Sequence, residues 1–90
     1  MTIEEFGDVM GVDLIIRRYA NQKNRYMCQF EYAEVKKYKG EPGLRGLYGT
    51  GKCASEAVQD YVTIIKGKWL VINAMTDRRK EFGVPDSLTL

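Results

Sequence analysis

Apolar residues along this chain recur at two spacings, every three to four residues and every two, and the alternation between those spacings marks out its elements. Ile3, Phe6, Val9 and Met10 stand at helical intervals behind Thr2, which is spaced from Glu5 as in a capping box, and Gly11 follows as a stop. A short first helix is expected, held by packing because Gly7 inside it weakens its intrinsic propensity. Val12 to Tyr19 is β-rich, Asn21-Gln22-Lys23-Asn24 supplies turn residues, and a second extended run goes from Arg25 to about Lys37. Tyr26, Cys28, Phe30 and Tyr32 alternate there with Arg25, Met27, Gln29 and Glu31. The resulting hairpin has one apolar face for the core and one polar face open to a partner.

Gly40, Pro42, Gly43 and Gly46 make the next segment a loop, and Leu47 to Thr50 follows as a short third strand. Ala54, Ala57, Val58, Tyr61, Val62 and Ile65 then form one stripe of a second helix that stops at Gly67. Cys53 and Glu56 have capping-box spacing, but sulfur replaces the hydroxyl that would accept the hydrogen bond, so the start of this helix is expected to be weaker than its end. Lys68 to Ala74 is apolar on both alternating sets and predicts a buried strand. Asp77 to Lys80 is a charged turn, and Phe82 with Val84 predicts a last short strand before Pro85. Residues 85–90 are expected to be a loosely held tail. The order α-β-β-β-α-β, with a further strand at the end, predicts an α+β domain spanning residues 1–90. In it an antiparallel sheet of three to five strands carries two helices packed on one face.

Composition narrows the function. No stretch approaches the roughly 18 apolar residues of a membrane span, and Glu4, Glu5 and Asp8 stand where a secretory signal would be basic, which points to a cytoplasmic chain. Cys28 and Cys53 are too few to form a disulfide scaffold and are expected to be reduced thiols. The chain has no histidine, so the usual general base, the commonest transition-metal ligand and the physiological pH switch are all missing. The net charge of +2 is unevenly spread: residues 1–16 carry −4, residues 17–52 carry +6, and the rest is balanced.

The candidate chemistry is correspondingly sparse. Gly46-Leu47-Tyr48-Gly49-Thr50-Gly51-Lys52-Cys53 has the glycine and lysine spacing of a P-loop, but it lacks the preceding apolar strand and the parallel sheet that such a loop needs. Its expected role is a tight strand-to-helix turn, with Gly51 and Lys52 as a weak anion site at the helix N-terminus. Cys53 has no histidine to activate it, and no pair of carboxylates is placed for acid–base work. The sequence therefore predicts a non-enzyme with no cofactor and no metal. Its main functional feature is the basic segment, where Arg17, Arg18, Lys23, Arg25, Lys36, Lys37 and Lys39 are interleaved with Tyr19, Tyr26 and Tyr38. That mixture of cations and aromatics suits a partner surface or a phosphate backbone with stacked bases. Arg78-Arg79-Lys80 adds a smaller basic cluster, read as a solvated turn.

From Gly49-Thr50-Gly51-Lys52-Cys53-Ala54-Ser55-Glu56-Ala57 through Tyr61, Gly67 and Arg78-Arg79 to Val84-Pro85, the chain resembles small uncharacterised proteins of bacteriophages and prophages. The resemblance implies a bacterial cytoplasm and an accessory or anti-host role. The element order also resembles the double-stranded RNA-binding domain, although only Lys52 matches that family's lysine cluster at the second helix and no glycine-proline-histidine loop occurs at residues 21–24. The glycine turn into an acidic, alanine-bearing helix is similar to small antitoxins of the HicB type. The expected function is a phage-type accessory protein that binds a host or phage protein. Alternatives are a nucleic-acid-binding module using the basic hairpin from Arg17 to Lys39, and a structural homodimer joined at an open sheet edge.

Overall fold

A computed structural model describes the whole chain from Met1 to Leu90 and shows an α+β fold of two helices and six antiparallel strands. Helix α1 (Ile3–Met10) opens with the capping box complete: Thr2 accepts from the Glu5 N–H, and the Glu5 carboxylate accepts from the Thr2 N–H. Gly11 closes the helix in the left-handed conformation, at φ 72°. Ile3, Phe6 and Met10 enter the core, whereas Val9, assigned by spacing to the same stripe, is 60% exposed.

The strands are β1 (Leu14–Arg18), β2 (Tyr26–Phe30), β3 (Ala33–Lys36), β4 (Gly49–Gly51), β5 (Trp69–Ile72) and β6 (Lys80–Gly83). They form two sheets of three strands, β1-β2-β4 and β3-β5-β6, in place of the single sheet the sequence suggests. The division falls inside the extended run from Arg25 to Lys37. Tyr32 takes a positive φ of 61°, and the Asn73 N–H donates to its carbonyl, so the chain turns there and enters a second sheet. Tyr32 is thereby placed at 65% exposure and not on the apolar face.

In the first sheet Leu14, Ile16 and Arg18 pair with Phe30, Cys28 and Tyr26, and Cys28 and Tyr26 pair in turn with Gly49 and Gly51. This is the inner face, and helix α2 (Ala54–Ile65) lies across it with Ala57, Tyr61, Val62 and Ile65 buried. The close fit rests on Gly49 and Gly51. A Cβ at Gly51 would lie 2.5 Å from the Glu56 Cβ, and one at Gly49 would strike the Ala57 carbonyl and the Tyr61 nitrogen. Helix α1 meets the same face at its end, where the Phe6, Phe30 and Tyr61 rings make two edge-to-face contacts at 6.3 and 5.8 Å.

The second sheet contributes Val35, Leu70 and Ile72 to the same core and packs Ala33 and Phe82 against it. The C-terminal segment expected to be loose is docked. Leu88 is completely buried, the Thr89 carbonyl accepts from the Ile3 N–H at 2.7 Å, and the Thr89 N–H donates to the Met1 carbonyl. No helix is long and apolar enough to cross a membrane, and Cys28 and Cys53 are free thiols.

Candidate functional site

The turn from β4 into α2 is shaped by packing. The Thr50 N–H donates to Asp60 Oδ2 at 2.8 Å, and the Lys52 N–H points to Glu56 Oε1 at 3.4 Å. Both acceptors come from α2, so the helix fastens the glycine strand to itself. At the expected weak anion site of Gly51 and Lys52, the Glu56 carboxylate accepts from the Lys52 N–H and from the Cys53 thiol. Cys53 is the N-cap residue and makes no capping hydrogen bond to the backbone, which matches the expected weak start of α2.

The basic segment divides with the sheets. Arg17, Arg18, Lys23 and Arg25 are exposed around the β1–β2 hairpin and line none of the surface depressions. Lys36, Lys37, Tyr38 and Lys39 belong to the end of β3 and the loop after it, in the second sheet. Lys37 and Tyr38 are exposed there, whereas Lys36 and Lys39 join a cluster that the sequence does not reveal.

That cluster is set by strand register. On the outer face of the second sheet Lys36, Trp69 and Gly83 form one cross-strand row, and Glu34, Val71 and Glu81 form the next. The strand order puts Lys36 and Glu81 on opposite edges of the sheet with β5 between them. The Lys36 side chain spans the central strand beside Trp69 and Val71 and donates to Glu81 Oε1 at 2.9 Å. Its stem lies against apolar surface, and the lysine side chain is 6% exposed. Arg79 Nη2 holds the other oxygen of the same carboxylate at 3.3 Å. The hydrogen bond from Lys36 keeps the Glu81 carboxyl below the usual range, with Arg79 adding to the effect.

Trp69 supplies the floor. The missing side chain of Gly83 leaves room for the indole, which lies over that glycine with ring atoms 3.3 to 3.5 Å from where a Cβ would stand. Lys39 puts its ammonium 5.4 Å from the centre of the ring. It reaches there from a tight turn in which Glu41 accepts the Lys37 N–H and Gly40 takes a φ of 91°. Lys36, Lys39, Gly40, Trp69, Arg79 and Glu81 enclose an open depression of about 500 Å³.

A second surface lies on the outer face of the first sheet. Met27 pairs with Thr50, and Tyr19 and Tyr48 flank them, with the Tyr19 hydroxyl 3.9 Å from the Met27 sulfur. These four residues belong to one depression of about 370 Å³. Farther along the same strand face, Gln29 adjoins a depression of about 380 Å³ that also contains Tyr32 and Met75, the latter 91% exposed.

Trp69, Gly40, Arg79 and Glu81 are not recognisable as site residues in the sequence, where Arg79 reads as part of a solvated turn. The available signal was the alternation of Trp69 and Val71 against Leu70 and Ile72, which puts the tryptophan on the opposite face from the core-facing pair. Nothing local ties it to Lys36. No group of three or more His, Cys, Asp or Glu side chains is placed to hold a metal ion. Comparison with protein-family models, with curated proteins and with solved structures finds no match to this chain.

Proposed function

We propose that this chain is a non-enzymatic binding protein that docks the outer face of its first sheet onto a host or phage protein in a bacterial cell. The observation that carries the reading is the row of exposed Tyr19, Tyr48, Tyr32 and Met75 with half-buried Met27 along and beside β2. Tyrosine and methionine are enriched in protein interfaces because they bring large contact area and adapt to an opposing surface. Tyr19, Tyr32 and Tyr48 are 43%, 65% and 49% exposed, a large display of aromatic area for a small chain whose core holds one buried tyrosine, Tyr61. Arg17 and Arg25 at the hairpin steer an acidic partner and raise its rate of encounter. The non-enzymatic part of the reading is supported by the lack of histidine and of a carboxylate pair suited to proton transfer.

The test is a pull-down of the tagged protein from bacterial lysate, treated with nuclease and read by mass spectrometry, in parallel with a Tyr19→Ser, Tyr48→Ser double variant and a Tyr32→Ser, Met75→Ser double variant. The expected result is a stoichiometric, nuclease-resistant protein that the wild type retains and at least one variant releases, with the melting curves of both variants unchanged. Enrichment that disappears with nuclease, or that both variants keep in full, overturns the proposal.

A further inference from the structure

The depression over Trp69 contains more positive charge than its own structure uses. Lys36, Lys39 and Arg79 face a single carboxylate, Glu81, whose two oxygens are already taken by Lys36 and Arg79. One lysine paired with one glutamate would be enough to join β3 to β6. Here two further cations are held at the same concavity, and Glu81 takes only one of the three donors on the nearly buried Lys36 ammonium. An excess of about two charges at an open, solvent-exposed concavity attracts an anion. The arginine fork and two ammonium groups are the set that recognises a phosphate.

The tryptophan specifies what accompanies that phosphate. The indole packs beside Gly83, which restrains the ring, and the Lys39 ammonium stands 5.4 Å from its centre. A cation over a half-buried ring is held weakly and gives way to a flat aromatic group, which stacks on the open part of the ring. Lys39 sits on the turn made by Gly40 and can move from the ring onto the phosphate. The depression, at about 500 Å³, lies within the range of small-ligand sites.

We infer that this recess binds a nucleotide, with the phosphate held by Lys36, Lys39 and Arg79 and the base stacked on Trp69. The two sources of that chemistry are a free mononucleotide and a single-stranded nucleic acid. The site is separate from the first-sheet surface and does not depend on the docking proposed there.

Trp69 is the chain's single tryptophan, so its fluorescence reports on the site directly. The full-length protein is titrated with adenosine 5′-monophosphate, with a six-nucleotide single-stranded RNA, with inorganic phosphate as competitor, and with a hexaglutamate peptide. The expected result is saturable quenching by the nucleotide or the RNA that phosphate reverses, weakened at least tenfold in both Arg79→Ala and Lys39→Ala, whose melting curves match the wild type. An RNA affinity tenfold or more above that of the mononucleotide assigns the site to a strand, and comparable affinities assign it to a free nucleotide. Absence of saturable quenching by either, quenching that survives both substitutions, or a response to the acidic peptide alone overturns the inference.

Discussion

At Gly49 and Gly51 the α2 backbone comes so close to β4 that a single methyl group would have no room, which accounts for the two glycines of the P-loop-like spacing. Glycine is used here for proximity, and Asp60 and Glu56 accept from the Thr50 and Lys52 amides of the same turn. Cys53 is the weak position of the same turn. It has the extended backbone of an N-cap residue, at φ −141° and ψ 170°, yet gives the helix no side-chain acceptor, while Glu56 stands where a capping box needs it. Cys53→Ser is expected to add that acceptor and stabilise the protein by about 1 kcal/mol. The check is a shift of the urea midpoint to higher concentration with no change in slope.

Among the elements, the C-terminal segment shows best how burial outranks local appearance. Residues 85–90 have no periodicity and begin with a proline, which reads as a tail, but Leu88 fills the core and Thr89 pairs with the start of α1. Their partners are at the other end of the chain, so no local window contains the contact. Leu88→Ala is expected to cost about 2–5 kcal/mol. Deleting residues 86–90 should cost at least as much, because Ile3 then loses the acceptor of its N–H. Thermal unfolding of both variants measures this, and melting temperatures within a few degrees of the wild type would show the segment to be dispensable. The β2–β3 division has a similar cause. The alternation of apolar and polar residues from Tyr26 to Phe30 is real, but the reversal at Tyr32 depends on the Asn73 N–H, which no nearby residue foretells.

For the molecule as a whole, the titrating groups define a wide plateau of stability. The hydrogen bond from Lys36 lowers the Glu81 pKa, so its contribution is present above the unfolded value of 4.5 and fades as pH falls through the folded value. On the alkaline side burial pushes the Cys28 thiol up to about 11 and the Tyr61 hydroxyl to about 12, from ordinary values of 9.0 and 10.0. The folded chain holds those protons after the unfolded chain has released them, so stability falls as pH rises from about 9 to 12. With no histidine to titrate between these limits, the urea midpoint is expected to be flat from about pH 5.5 to 8.5. Tyr61→Phe should remove the upper part of the alkaline fall, and by depriving the buried Phe30 N–H of its 3.0 Å acceptor it should also cost about 1–3 kcal/mol at neutral pH. An alkaline profile parallel to the wild type would exclude Tyr61 as the cause. By itself the sequence determined the α+β class, both helices with the capping box of α1, and the inner face of Tyr26, Cys28 and Phe30. Each depends on spacing within one or two turns or a single strand, where backbone geometry alone decides which side chains share a face. Only the tertiary structure decided that there are two sheets, that Leu88 belongs to the core, and that Lys36 and Lys39 meet Trp69, Arg79 and Glu81 while Arg17, Arg18, Lys23 and Arg25 remain with the other sheet. Those outcomes depend on register between strands more than 30 residues apart, which is set by the packing of the whole core.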